Sequence, residues 1–180
     1  MSLAPWRSPL ARALHRNRSD ATSRYPQLAT VRSTGRPANR TVVFRDFLDD
    51  SNCLLFITDI RSEKIDQLAQ NAEAELCWYF TKTREQFRIG GTIDVIAADA
   101  PNAEHVAVRD GLWERLSEKT KQQFVWPQPG NPRVAEGYEF VEGLDERATP
   151  DTFAVLIFNP DAVDHRHARS DSYRPVHNED

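Results

Sequence analysis

Apolar and polar positions along this chain follow two periods, one helical and one alternating, and each period marks a kind of element. Leu10, Ala13 and Leu14 recur at helical spacing, with Arg7, Arg12, Arg16 and Arg18 on the other face, so a helix is predicted over residues 1–18. Pro9 suits its first turn. Tyr25 to Val31 reads as a strand, Ser33-Thr34-Gly35-Arg36-Pro37 as a turn, and Arg40 to Phe47 as a second strand, giving a hairpin. Leu54 to Thr58 is a short apolar strand. Ser62 to Asn71 is helical, with Ile65, Leu68 and Ala69 inward and Ser62 as N-cap. Ala74 to Phe80 and Gln86 to Ala97 return to strand character. Ala103 to Val125 is helical again, anchored by Val106, Trp113, Leu116 and Phe124, and Trp126-Pro127-Gln128-Pro129-Gly130 stops it. Residues 130–150 read as loop, and Phe153 to Phe158 as a last strand before Asn159-Pro160.

Strands outnumber helices and most are joined by short turns. Antiparallel hairpins that must avoid open edges favour a closed or nearly closed barrel. The expected class is therefore a β-barrel with flanking helices, mainly β or α+β. The chain has 180 residues, which suits one domain over 1–180, with a helical segment at 1–20 and a polar tail at 165–180. That length can bury a core without disulfide or metal staples.

Composition narrows the function classes. No stretch approaches the roughly 18 apolar residues of a membrane helix, and residues 1–19 have no apolar core of a secretory signal, so no membrane association is expected. Cys53 and Cys77 each lie in an apolar run and are expected as buried free thiols in a reducing cytoplasm. With no paired histidine spacing, no metal site is expected. The five histidines, at 15, 105, 165, 167 and 177, lie mostly in polar stretches and read as surface residues. The net charge is −4, but residues 1–45 hold nine arginines and one acid, for +8, while the remainder carries −12. A basic segment in an acidic protein points to a localised anion site rather than to nucleic acid.

Three clusters carry candidate chemistry. Asn39 to Arg45 holds Arg40 and Arg45, five apart, which on a regular strand point to opposite faces; a bulge or a strand end must intervene if both serve one ligand, and for an isolated strand solvated rim charges are the plainer reading. Phe56 to Lys64 runs from a strand end through a turn into a helix, and gathers Thr58, Arg61, Ser62 and Lys64 where helix N–H groups favour an anion. Plain helix capping with an exposed lysine explains that segment equally well. Thr83 to Gly91 places Gln86 among arginines, and a glutamine amide both donates and accepts, as the edge of a heterocycle requires.

In this order, Arg40-Thr41-Val42-Val43-Phe44-Arg45, Ile57-Thr58-Asp59-Ile60-Arg61-Ser62-Glu63-Lys64 and Glu85-Gln86-Phe87-Arg88-Ile89-Gly90-Gly91 resemble the motifs of the pyridoxamine 5'-phosphate oxidase-like FMN-binding family. Pro5-Trp6-Arg7-Ser8-Pro9-Leu10 and the Trp126 to Gly130 stretch look like its Alr4036-type branch. The resemblance implies an FMN-binding split β-barrel of antiparallel Greek-key form, usually a homodimer with FMN at the subunit interface and a small-molecule substrate. It implies that Arg40 and Lys64 hold the FMN phosphate with help from Thr58 and Ser62, and that Thr41, Val42, Val43 and Phe44 run beside the flavin ring. Arg45 would stand near the ring's polar edge, Ile57 in the phosphate segment, and Gln86 at the pyrimidine end. Glu63 stands where the family has an arginine, and Arg61 is the candidate replacement. The family's closing motif is matched only loosely, by His165-Arg166-His167 and Tyr173-Arg174-Pro175, with Arg174 the candidate for substrate. The function expected is an FMN-dependent oxidoreductase; the alternative is a flavin carrier or sensor without turnover.

Overall fold

The computed structural model describes residues 3–126, 148–167 and 174–177, the last four by backbone alone. The order of elements is α1 (Arg7–Asn17), β1 (Gln27–Val31), β2 (Pro37–Thr41), β3 (Phe44–Phe47), β4 (Leu54–Asp59), α2 (Glu63–Gln70), β5 (Glu73–Phe80), β6 (Glu85–Ile96), α3 (Ala103–Glu114), α4 (Glu118–Lys121), β7 (Phe153–His167) and β8 (Arg174–His177). The strands follow the order β2-β1-β5-β6-β7-β4-β3, and β8 pairs with β7. The pairings β1–β2, β1–β5, β3–β4, β5–β6 and β7–β8 are antiparallel. The expected class, mainly β with flanking helices, is the class observed.

Several elements differ from the sequence reading, among them the polar tail, where residues 174–177 form β8. The strand expected over Arg40 to Phe47 is two strands: β2 pairs with β1, β3 pairs with β4, and Val42-Val43 links them. The helix expected over 103–125 breaks at Ser117, whose extended backbone (φ −67°, ψ 149°) starts α4 as a new N-cap. The last strand does not stop before Asn159-Pro160 but runs on to His167. Gly91 permits that passage: a Cβ there would fall on the carbonyl oxygen of Asn159. The expected loop at 130–150 lies largely outside the described residues.

By contacts the chain divides into two compact units: residues 1–56, 67–94 and 157–180, and residues 57–66 and 95–156. In the first, Trp6, just before α1, and Leu10 of α1 join Leu28, Phe44, Phe56, Leu76, Trp78, Phe80 and Phe87 in a buried core. Trp78 lies 5.0 Å from Phe44 and stacks on Phe80 at 5.4 Å, and its indole N–H donates to the Ser23 carbonyl at 2.8 Å. Such an acceptor suits a buried tryptophan, because its ring is apolar and its N–H is not. In the β1–β2 turn, Gly35 takes φ +76° and its N–H donates to Arg32 O at 2.8 Å; a side chain would strain that backbone. In the second unit, Trp113, Phe124 and Phe153 meet edge to face at 4.9 to 5.8 Å. Arg109 is buried beside them, donating to the carbonyls of Phe153 (3.0 Å) and Pro150 (2.6 Å).

Cys53 and Cys77 are free thiols, as expected, but half-buried rather than buried. No helix among the described residues is long and apolar enough to cross a membrane.

Candidate functional site

The chemistry-bearing residues fall into two local constellations, one in each unit.

In the first unit, β2 ends immediately after the residue that matters most. Arg40 is half-buried. Its Nη1 donates to Thr30 Oγ1 at 2.6 Å and to the Leu28 carbonyl at 3.3 Å, and its Nη2 donates to Gln67 Oε1 at 2.9 Å. The Thr30 hydroxyl donates to the same Gln67 oxygen at 2.6 Å. Thr41 is exposed and exchanges hydrogen bonds with the Gln27 amide, Val42 and Phe44 are buried, and Val43 is half-buried. The register of β3 against β4 shifts between Phe44 and Asp46, which puts Arg45 in an irregularity. A strand end and a register shift, either of which lets Arg40 and Arg45 escape strict alternation, are both present.

Arg45 is a cation in an unfavourable setting. Burial lowers its proton affinity first, the neighbouring Arg24 lowers it further, and Tyr25 partly offsets this. Its Nε is buried without a hydrogen-bond partner, while its carbonyl accepts from Arg24 Nη2 at 3.1 Å. Arg24 in turn lies 5.6 Å over the Phe44 ring. Along β6, Glu85, Phe87 and Ile89 are buried, whereas Gln86 is half-buried and Arg88 exposed, as period-two alternation requires. Gln86 pairs in register with Tyr79, an exposed aromatic.

In the second unit, β4 ends at Asp59 and α2 begins at Glu63. Ile57 is half-buried and Thr58 buried. Lys64 Nζ donates to Thr58 Oγ1 at 2.8 Å and to Ser62 Oγ at 2.9 Å, and the two hydroxyls lie 3.3 Å apart. The Ser62 hydroxyl is thus turned toward the ammonium, although Ser62 also precedes the helix as an N-cap residue does. Arg61 is committed elsewhere: its Nε and Nη2 fork onto Asp59 at 2.9 and 2.6 Å, and its Nη2 also donates to the Trp126 carbonyl at 3.0 Å. Donating to the Asp59 carboxylate raises the Arg61 proton affinity.

Several participants escaped the sequence reading. Gln67 is buried on α2 where Ala69 was expected inward, and Ala69 is exposed. A glutamine three positions after Lys64 is the trace it left, since residues three apart share a helix face. Thr30 left no trace beyond strand propensity. His165, read as a surface residue, is half-buried: it stacks on Phe87 with centroids 4.0 Å apart and planes at 9°, and its Nε2 lies 3.0 Å from Glu85 Oε2. Arg174 belongs to β8, opposite His165; its side chain lies outside the described residues, as do Pro127 to Gly130. Among the described residues no group of histidine, cysteine and carboxylate side chains could hold a metal.

Residues 3–97 match the family described as pyridoxamine 5'-phosphate oxidase, FMN-binding domain. The chain is 39% identical over 164 residues to an Arabidopsis thaliana protein named pyridoxine/pyridoxamine 5'-phosphate oxidase 2, covering 91% of this chain and 83% of that one. It is 42% identical over 91 residues to the pyridoxine/pyridoxamine 5'-phosphate oxidase of Hyphomonas neptunium, covering 50% of this chain and 39% of the bacterial protein. The crystal structure of a pyridoxamine 5'-phosphate oxidase-related, FMN binding protein from Nostoc punctiforme matches with a TM-score of 0.94 and 47% identity, over 100% of this chain and 94% of that one. The fold class is accordingly the antiparallel split barrel expected from the motifs. The chain belongs to the pyridoxamine 5'-phosphate oxidase FMN-binding family, and its cofactor is FMN.

Proposed function

We propose that this protein is an FMN-dependent oxidoreductase acting on a small-molecule substrate, as a cytoplasmic homodimer with the flavin at the subunit interface and residues 1–180 as one functional domain. The observation that carries the cofactor assignment is the Lys64–Thr58–Ser62 triangle, an ammonium with two hydroxyls at hydrogen-bond distance. That is the donor set a phosphate dianion takes. Arg40 is assigned as its bidentate guanidinium partner, in keeping with the family motif. Arg45 fits a place beside an electron-rich ring edge, because a buried guanidinium with an unpartnered N–H gains from an acceptor there. The backbone of Thr41 to Phe44 and the Gln86 amide are assigned to the flavin ring, Ile57 to the phosphate segment, and Arg174 to the substrate.

When bound, FMN supplies the redox chemistry, and the protein supplies binding, orientation and charge. A cation at Arg45 favours the reduced, anionic flavin. The name of the Arabidopsis relative makes pyridoxine and pyridoxamine 5'-phosphates the first substrates to try. The test is an absorbance spectrum and a light-scattering mass on gently purified protein, followed by hydrogen peroxide release with each substrate. Yellow, dimeric protein that releases peroxide supports the reading. Bound flavin without turnover of any substrate would move it to a carrier or sensor, and a colourless protein that ignores added FMN would end it.

A further inference from the structure

We infer that Thr30 and Gln67 are positioning residues for Arg40, and that they set this protein's preference for phosphorylated over unphosphorylated flavin. The inference rests on the assignment of Arg40 to the phosphate.

A guanidinium has five N–H donors in one plane, so fixing two of them fixes the direction of the rest. Thr30 takes Nη1 at 2.6 Å and Gln67 takes Nη2 at 2.9 Å, and the Thr30 hydroxyl closes the triangle onto Gln67 Oε1 at 2.6 Å. Both brackets are buried: Thr30 is 2% exposed and Gln67 4%. Buried polar groups are retained where they are hydrogen-bonded, and here the bonds converge on one cation. Thr30, the Leu28 carbonyl and Gln67 offer neutral oxygens. They orient the guanidinium without themselves cancelling its charge, whereas a carboxylate at position 67 would orient it and compete with the phosphate.

This difference supplies the test. Dissociation constants for FMN and for riboflavin are measured by flavin fluorescence on the full chain, for the parent, Gln67→Glu, Gln67→Leu, Thr30→Val, Thr30→Ser and Arg40→Ala, with thermal melts alongside. Gln67→Glu keeps the size and the acceptor, so the expected result is FMN binding weaker by roughly tenfold or more, the scale of a hydrogen bond to a charged group, with riboflavin binding nearly unchanged. Gln67→Leu and Thr30→Val should also lower the FMN-to-riboflavin preference, and Thr30→Ser, which keeps the hydroxyl, should retain it. Parallel loss of both ligands, or an unchanged preference in Gln67→Glu and Thr30→Val, overturns the inference. Arg40→Ala separates the two layers. If it leaves the preference intact, the phosphate assignment itself fails. If it abolishes the preference while the Gln67 and Thr30 variants do not, only the positioning role fails.

Discussion

Arg61 and Asp59 form a forked ion pair at the end of β4, with Nη2 2.6 Å from Oδ2 and Nε 2.9 Å from Oδ1. This pair bears on Glu63, which stands where the family motif has an arginine. A guanidinium already matched by a carboxylate adds little net attraction for a second anion. The double variant Asp59→Asn/Arg61→Gln removes the pair without changing the local net charge. Its FMN dissociation constant, read by fluorescence titration, should stay within about 0.5 kcal/mol of the parent. A loss as large as that of Arg40→Ala would return Arg61 to the phosphate site.

Arg40→Ala and Lys64→Ala should each weaken FMN binding by about 1.5–3 kcal/mol, the range for hydrogen bonds to charged groups. Isothermal titration with FMN reads this directly, and unchanged affinity in both variants removes the phosphate assignment.

Two glycines should respond oppositely to alanine. At Gly91 a new methyl would fall on the Asn159 carbonyl oxygen, with the carbonyl carbon at 2.9 Å, and backbone cannot step aside cheaply. Gly91→Ala should cost at least about 1–3 kcal/mol, the scale of overpacking. Gly111 lies within α3 with nothing near its would-be Cβ. Gly111→Ala should stabilise by about 0.5–1 kcal/mol through helix propensity. Urea unfolding of the two variants checks both signs; equal effects would contradict the packing described.

Glu85 is buried with one carboxyl oxygen on His165 and the other without a partner. His165→Ala removes that bond and the stack on Phe87. It should destabilise the protein by about 1–3 kcal/mol, the cost of stranding a buried polar group. His165→Phe, which restores a flat ring but no nitrogen, should recover only part of it. Full recovery in urea melts would show that stacking alone mattered.

The Asp20 carboxyl is held below the ordinary aspartate value of 3.8 chiefly by the hydroxyl of Thr22, then by its amide, with smaller help from Thr81 and Lys82. The carboxylate is the form that is bonded in the folded chain. Its stabilisation is therefore present above the unfolded value and is lost as pH falls through the lower folded one. A carboxyl-carbon NMR titration should place the Asp20 midpoint below that of an unfolded peptide. A midpoint at the ordinary value would mean that Thr22 does not bond the carboxylate in solution.

The sequence by itself determined what is local. Apolar runs located most of the strands, and Thr58, Ser62 and Lys64 lie within seven residues, so one strand end and one helix start suffice to gather them. Only the tertiary structure decided the rest. Arg40 to Phe47 reads as one strand because its residues favour extended backbone throughout; it divides because its two halves find different partners, β1 and β4. Pro160 reads as a stop because it lacks an N–H, yet β7 continues past it beside Gly91, a residue far away in the chain. The bracket on Arg40 joins positions 30, 40 and 67, and the stack on Phe87 joins 87 to 165. Hydrogen bonds and ring contacts between distant segments impose no period on the chain, so little in the order of residues announces them.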